Sequence, residues 1–196
     1  MARYQHAIVV GASSGIGREI ARQLAASGCK VAVVARRLDR LQELEAAFPG
    51  AIVTAEHDVR DGEAVPALFQ EVTGKLGGLD LVVVAAGVMP AVGPEEFDFS
   101  KDRAIFEVNV LGAMAWLDQA AIRFGAAGHG TIVAIGSVAG DRGRVGQPAY
   151  NASKAALTTF MEALRNRLSR KGVTVTTFNP GTAATEMTEG LALKNP

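Results

Sequence analysis

Tyr150 and Lys154 lie four residues apart in the sequence. On a helix that spacing puts two side chains on one face, with Cβ atoms about 5–6 Å apart. An ammonium beside a phenol favours the phenolate and draws its pKa down from about 10. A phenol tuned in this way suits general acid–base work. The same pair also fits a buried tyrosine on an amphipathic helix with an exposed lysine beside it. Ser137 stands upstream, at the end of an apolar run. Its hydroxyl can donate to a carbonyl oxygen alongside the phenol, or it can cap the following turn. Asn109 interrupts the stretch Glu107-Val108-Asn109-Val110. Asparagine is a poor helix-interior residue, so its amide needs a partner, either backbone or an ordered water.

A second constellation lies near the start of the chain. Gly11-Ala12-Ser13-Ser14-Gly15-Ile16-Gly17 sits between an apolar run and a helical pattern. Glycines there permit a tight turn and close approach of backbone to phosphate. The helix N-terminus then offers free N–H groups and a positive dipole end to a pyrophosphate. The spacing is GxxxGxG, one residue longer between its first two glycines than the common dinucleotide fingerprint. A plain glycine-rich turn is the alternative. Arg36 and Arg37 follow the second apolar run. An acid at that place holds a ribose 2′-hydroxyl, whereas an arginine accommodates a 2′-phosphate. NADP(H) is therefore expected over NAD(H), unless the two arginines are only solvated residues opening a helix. Asp58, in His57-Asp58-Val59, can accept from an adenine amino group or cap the next helix. The small residues of Ala85-Ala86-Gly87 would let a ribose and nicotinamide pass close to a sheet edge.

The elements that must carry these residues alternate. Apolar, β-branched runs occur at Ala7–Val10, Val31–Ala35, Ala51–Ala55, Leu79–Val84, Thr131–Ile135 and Val173–Phe178. Such runs suit strands buried on both faces. Helical patterns lie between them at Gly15–Ser27, Leu38–Phe48, Asp61–Leu76, Lys101–Phe124 and Ala149–Arg170. The alternation predicts an α/β fold: a Rossmann-like, doubly wound parallel sheet in three layers, forming a single domain over 1–196. The loops Val88–Phe97 and Gly136–Pro148, and the tail after Phe178, then share the carboxyl edge where such sheets bind ligands.

Composition excludes several classes. The 196 residues carry 20 basic and 20 acidic side chains, and no basic stripe supports a nucleic-acid partner. Cys29 is the only cysteine and the three histidines are scattered, so no metal site is expected. The opening MARYQHAIVV lacks the apolar core of a signal peptide, and no apolar run is read as long enough to span a bilayer. A cytoplasmic location without membrane attachment is the expectation.

Together these pieces resemble the classical short-chain dehydrogenase/reductase family. The matching strings are GASSGIG at Gly11–Gly17, HDV at His57–Val59, AAG at Ala85–Gly87, EVNVLG at Glu107–Gly112, IGSVAG at Ile135–Gly140, YNASK at Tyr150–Lys154 and NPG at Asn179–Gly181. They span nearly the whole chain in the family's order. The resemblance implies that Tyr150 is the acid–base group for a carbonyl or secondary-alcohol substrate, and that Ser137 polarises the substrate oxygen. It implies that Lys154 lowers the Tyr150 pKa and binds the nicotinamide ribose, while Asn109 holds a water linking Lys154 to solvent. Ser13, Ser14, Ile16, Val59, Pro180 and Gly181 fall at cofactor-binding positions, and Ala183 and Thr185 resemble those that fix the carboxamide.

Three departures stand out. Val10 replaces the usual Thr before the glycine motif, Val84-Ala85 replaces the usual Asn-Asn, and Ser14 replaces the basic residue of many NADP-preferring members. Members usually continue beyond the position of Pro196, so the chain is expected to lack the substrate-covering helices and last strand. The resemblance further implies a homodimer or homotetramer through Lys101–Phe124 and Ala149–Arg170. Trp116, Leu117, Phe160 and Leu164 could form an apolar patch there, or face the chain's own core. Two rival readings are a non-catalytic NADP(H)-binding sensor on the same fold, and a sugar-nucleotide epimerase or dehydratase of the related extended type.

Overall fold

A computed structural model describes residues 4–188 of the chain. Six strands form one sheet: β1 (His6–Val10), β2 (Lys30–Ala35), β3 (Ile52–Glu56), β4 (Leu81–Val84), β5 (Gly130–Ile135) and β6 (Val173–Phe178). All pairs are parallel, in the order β3-β2-β1-β4-β5-β6. The order reverses between β1 and β4, and open α/β sheets bind ligands at such a switch point. Val10 pairs with Val34 on one side and Val84 on the other, so the carboxyl ends of the central strands finish level.

The strand residues alternate between two apolar layers, as the two-residue period of a strand requires. Ile8, Val10, Val82 and Val84 pack with Trp116, Phe124 and Leu157 on one face. Ala7, Val9, Leu81 and Val83 pack with Ala21 and Leu41 on the other. The second layer comes from α1 (Gly15–Ala26) and α2 (Leu38–Ala47). The first comes from α3 (Val65–Leu76), α5 (Ala113–Ala127) and α6 (Pro148–Leu168), with α4 (Phe99–Phe106) leading into α5. The expected three-layer, doubly wound sheet is the observed one. Residues of β6 alternate buried and exposed over most of its length, in keeping with its place at the sheet edge.

Two helices differ from expectation. The third does not begin at Asp61. The Asp61 carboxylate instead accepts from the Ala64 N–H and caps a short 3₁₀ turn, Gly62–Ala64, ahead of α3. The fourth is not one regular helix. A π-helical turn, Glu107–Gly112, separates α4 from α5. Such turns are rare inside α-helices and recur at functional sites. Trp116 and Leu117 are fully buried, Leu164 is buried, and Phe160 packs against the core. They form no outward patch. The continuous helical stretch Phe99–Ala127 is, contrary to expectation, long and apolar enough by length and composition to cross a membrane, but half of its most apolar window is buried in this core.

The glycine-rich turn connects β1 to α1 under a steric constraint. Gly11 has φ +87°, and a Cβ there would overlap the Ala86 backbone nitrogen. Gly17 touches the turn from the other side, where a Cβ would overlap the Gly11 carbonyl oxygen. Gly50 has a similar φ of +78° but open space around it. Gly50→Ala is therefore expected to cost only the left-handed backbone penalty of about 1–2 kcal/mol. Gly11→Ala adds a backbone clash and is expected to cost at least about 3 kcal/mol in urea unfolding. Equal losses would show that Ala86 yields.

Candidate active site

A cleft of about 530 Å³ runs along the carboxyl edge of the sheet. Its walls include every residue anticipated from sequence for cofactor binding or chemistry, from Gly11 and Arg36 at one end to Ser137, Tyr150 and Lys154 at the other, with Asn109 as the exception. Asn109 is fully buried behind the wall. A Cβ on Gly87 would lie 3.5 Å from its Oδ1 and 3.6 Å from Lys154 Nζ. The absence of a side chain at Gly87 thus keeps that corner open.

At the inner end, Tyr150 and Lys154 occupy the first turns of α6 and are 8% and 4% exposed. Lys154 Nζ donates to the Ile135 carbonyl at 3.0 Å and lies 5.6 Å from the Tyr150 ring centroid, within cation–π range. Burial pushes the Lys154 pKa down to about 8. The expected depression of the Tyr150 pKa by Lys154 is not what this geometry gives. Burial raises the phenol pKa, and Ser137 supplies the partial offset. The ammonium is aimed at the Ile135 carbonyl rather than at the phenol oxygen, so desolvation wins. Ser137 also accepts from the Ala139 N–H at 3.1 Å, capping the 3₁₀ turn Val138–Gly140. Capping uses its oxygen as acceptor and leaves its proton to donate.

Asn109 spends its amide on structure. Oδ1 accepts from the Val88 N–H at 2.8 Å, and Nδ2 donates to the Val88 carbonyl at 3.0 Å and to Ser153 Oγ at 3.1 Å. Ser153 in turn donates to the Tyr150 carbonyl at 2.8 Å. Both Nδ2 hydrogens are therefore taken. Ser153 and Val88 were not picked out from sequence, although a serine between Tyr150 and Lys154 on one helix was a readable signal. Gln147 was also missed. It lines the cleft, precedes Pro148 and has φ +62°, a left-handed conformation unusual for a side-chain-bearing residue.

The outer end is wetter and rich in guanidinium. Ser14 is the N-cap of α1 but makes no side-chain cap, and the first turn holds no acid. The open helix terminus, the cradle at Gly11 and Gly17 and the adjacent arginines fit a dinucleotide pyrophosphate and its ribose. Asp58 is gripped by Arg60 through both carboxylate oxygens, at 2.5–3.1 Å, which holds its pKa down to about 2. The cap alternative for Asp58 is filled by Asp61. Ala183 and Thr185 belong to a segment stitched by Thr188, whose Oγ1 donates to the Ala183 carbonyl at 2.7 Å and accepts from the Thr185 N–H at 3.0 Å. Pro180 accepts from the Val138 N–H at 3.3 Å, tying this segment to the inner end. Among the described residues, no group of three His, Cys, Asp or Glu side chains is placed to hold a metal.

The buried lysine has a measurable cost. Its pKa falls from 10.5 to about 8 on folding, so the unfolded chain binds more protons between those values. Stability conferred at this position therefore rises with pH over that window, and the penalty is complete below it. That shift corresponds to about 3 kcal/mol, less about 1 kcal/mol for the lost bond to Ile135. Lys154→Met is expected to raise the unfolding free energy at pH 7 by about 1–2 kcal/mol. The advantage should fade toward pH 10.5. Paired denaturant curves check this, and a pH-independent difference would contradict it.

The family model "short chain dehydrogenase" matches residues 5–195. An oxidoreductase of Myxococcus xanthus is 40% identical over 188 residues, covering 94% of this chain and 74% of the relative. A Xenopus tropicalis protein named carbonyl reductase family member 4 is 32% identical, covering 93% of this chain and 77% of its own length. The crystal structure of a short-chain dehydrogenase from Streptomyces avermitilis superposes with a TM-score of 0.87 at 33% identity, over 94% of this chain and 68% of that one. The chain belongs to the short-chain dehydrogenase family, whose members are nicotinamide-dependent oxidoreductases.

Proposed function

We propose that this chain is an NADP(H)-preferring oxidoreductase that interconverts a small carbonyl compound and its secondary alcohol. The observation that carries the reading is the shared cleft: Ser137, Tyr150 and Lys154 line its inner end, and an open helix terminus with Arg36 lines its outer end. The relative named as a carbonyl reductase family member supports the substrate class. A bound nicotinamide supplies or accepts the hydride.

The chain's own residues handle the oxygen and the proton. Tyr150 donates its phenolic proton to the carbonyl oxygen as negative charge gathers there. Ser137 donates a hydrogen bond to the same oxygen, lowering the cost of that charge. Lys154, whose Nζ lies 5.6 Å from the Tyr150 ring centroid, keeps a positive charge within range of the phenolate left behind. Asn109 acts as a positioning residue through Ser153 and the Tyr150 carbonyl. The raised Tyr150 pKa keeps the acid form present at neutral pH, which favours the reductive direction there. The oxidative direction needs the phenolate and should strengthen as pH rises.

Removing the phenol tests the mechanism. Tyr150→Phe is expected to lower kcat for carbonyl reduction by at least about 10²-fold, a usual size for a lost acid–base group, with NADPH binding retained. Activity surviving that change would remove Tyr150 from the chemistry. A wild-type protein that binds NADPH yet turns over nothing in a broad carbonyl panel would instead be a sensor. Cofactor choice is tested separately. Among the described residues Arg36 makes one ion-pair approach, to Asp58 at 4.0 Å, which leaves its guanidinium available to a 2′-phosphate. Losing one charged hydrogen bond costs about 1.5–3 kcal/mol, so Arg36→Ala should cut the NADPH/NADH ratio of kcat/KM about tenfold or more. An unchanged ratio would return Arg36 to the solvated helix start.

A further inference from the structure

Arg36 and Arg37 are neighbours at the end of β2 with opposite surroundings. Among the described residues, Arg36 makes one long approach, to Asp58. Arg37 is engaged on all three of its nitrogens. Nε and Nη2 donate to Ser13 Oγ at 3.2 and 3.1 Å, Nη2 also donates to Ser14 Oγ at 2.7 Å, and Nη1 donates to Glu186 Oε2 at 3.0 Å. Glu186 arrives from the far end of the fold, in the 3₁₀ turn Glu186–Thr188 beyond β6. The guanidinium holds its carboxyl below the usual range. The pair therefore clasps the phosphate-binding turn to the segment that closes the other side of the cleft. Glu186, like Arg37, lines that cleft.

We infer that Glu186 discriminates between cofactors: its carboxylate occupies the Arg37 guanidinium that a 2′-phosphate would otherwise take, so the two anions compete for one cation. The inference rests on the reading of this cleft as a nicotinamide-dinucleotide site. Carboxylate and phosphate present similar paired oxygens to a guanidinium, which is why one can stand where the other would bind. Arg36 is then the resident cation for the 2′-phosphate, and Arg37 joins it only when the clasp opens. A dinucleotide with a 2′-hydroxyl carries no competing anion and leaves the clasp closed. The side chains of Arg37 and Glu186 are 44% and 50% exposed, so the exchange is between weak, solvated partners. Opening also frees the turn whose Thr185 lies against the first residue of α1, where a Cβ on Gly15 would meet Thr185 Cγ2 at 3.4 Å.

The test compares Glu186→Gln, and Glu186→Ala as a second variant, with the wild-type chain. Dissociation constants are measured for NADPH, NADH and adenosine 2′,5′-bisphosphate, with thermal melts to confirm folding. An exposed ion pair contributes up to about 1 kcal/mol, so NADPH and the bisphosphate are expected to bind about two- to fivefold tighter in both variants. NADH affinity is expected to stay the same. An unchanged NADPH/NADH affinity ratio would overturn the inference. So would a fall in that ratio, which would mean that Glu186 aims Arg37 at the phosphate. A wild-type preference for NADH would defeat the proposed cofactor choice alone, because the effect of Glu186 is read from the change between variant and wild type.

Discussion

Three hydrogen bonds from one carboxamide hold the inner end of this cleft together. Asn109 meets both backbone polar groups of Val88 and reaches Ser153 on α6. Each bond is individually modest, but leaving a buried partner unmade costs about 1–3 kcal/mol. The three bonds therefore fix the depth at which Tyr150 and Lys154 stand relative to the sheet edge. Gly87, just before Val88, then presents only backbone to the corner shared by Asn109 and Lys154. Tyr150 and Lys154 line the cleft, but their position is set from behind its wall.

The two ends of the cleft operate in different dielectric settings. The inner end is largely buried. Burial there raises the Tyr150 pKa and lowers that of Lys154, so packing forces both groups into environments that disfavour their charged forms. Such tension is common where a fold gives up stability for chemistry. The outer end is wet. Arg37, Glu186, Arg60 and Asp58 form pairs with sizeable solvent exposure, each of small worth and easily exchanged. Chemistry needs the first setting, because a charge developing on oxygen is stabilised more strongly where water is excluded. Entry and release of a charged ligand suit the second.

Much of this arrangement was legible in the sequence. The apolar, β-branched runs marked the six described strands to within two residues, most plainly β1, β2 and β4, which are buried on both faces. Every motif contributes to the cleft, and every anticipated site residue but Asn109 lines it. What the sequence did not carry were the outcomes of competition between neighbours in space. The spacing of Tyr150 and Lys154 suggested a depressed phenol pKa, but the Ile135 carbonyl drew the ammonium away. Two adjacent arginines looked equivalent, yet only Arg37 is within reach of Glu186. Asp58 showed its charge but not that Arg60 would hold it. Asn109 announced itself as an anomaly in an apolar helix without revealing Val88 as its partner.

The wide turn at Glu107–Gly112 has a consequence for what changes this fold can absorb. Each residue advances a helix by about 100°. The buried side of α5, carrying Ala113, Trp116, Leu117, Ala120 and Phe124, is therefore phased by the number of residues in that turn. Tightening this wide turn into a regular helix with all six of its residues kept would rotate Trp116 and Phe124 off the sheet, because a wider turn advances each residue by less than a regular one does. The asparagine and the aromatic core beneath it thus depend on residue count and turn width together.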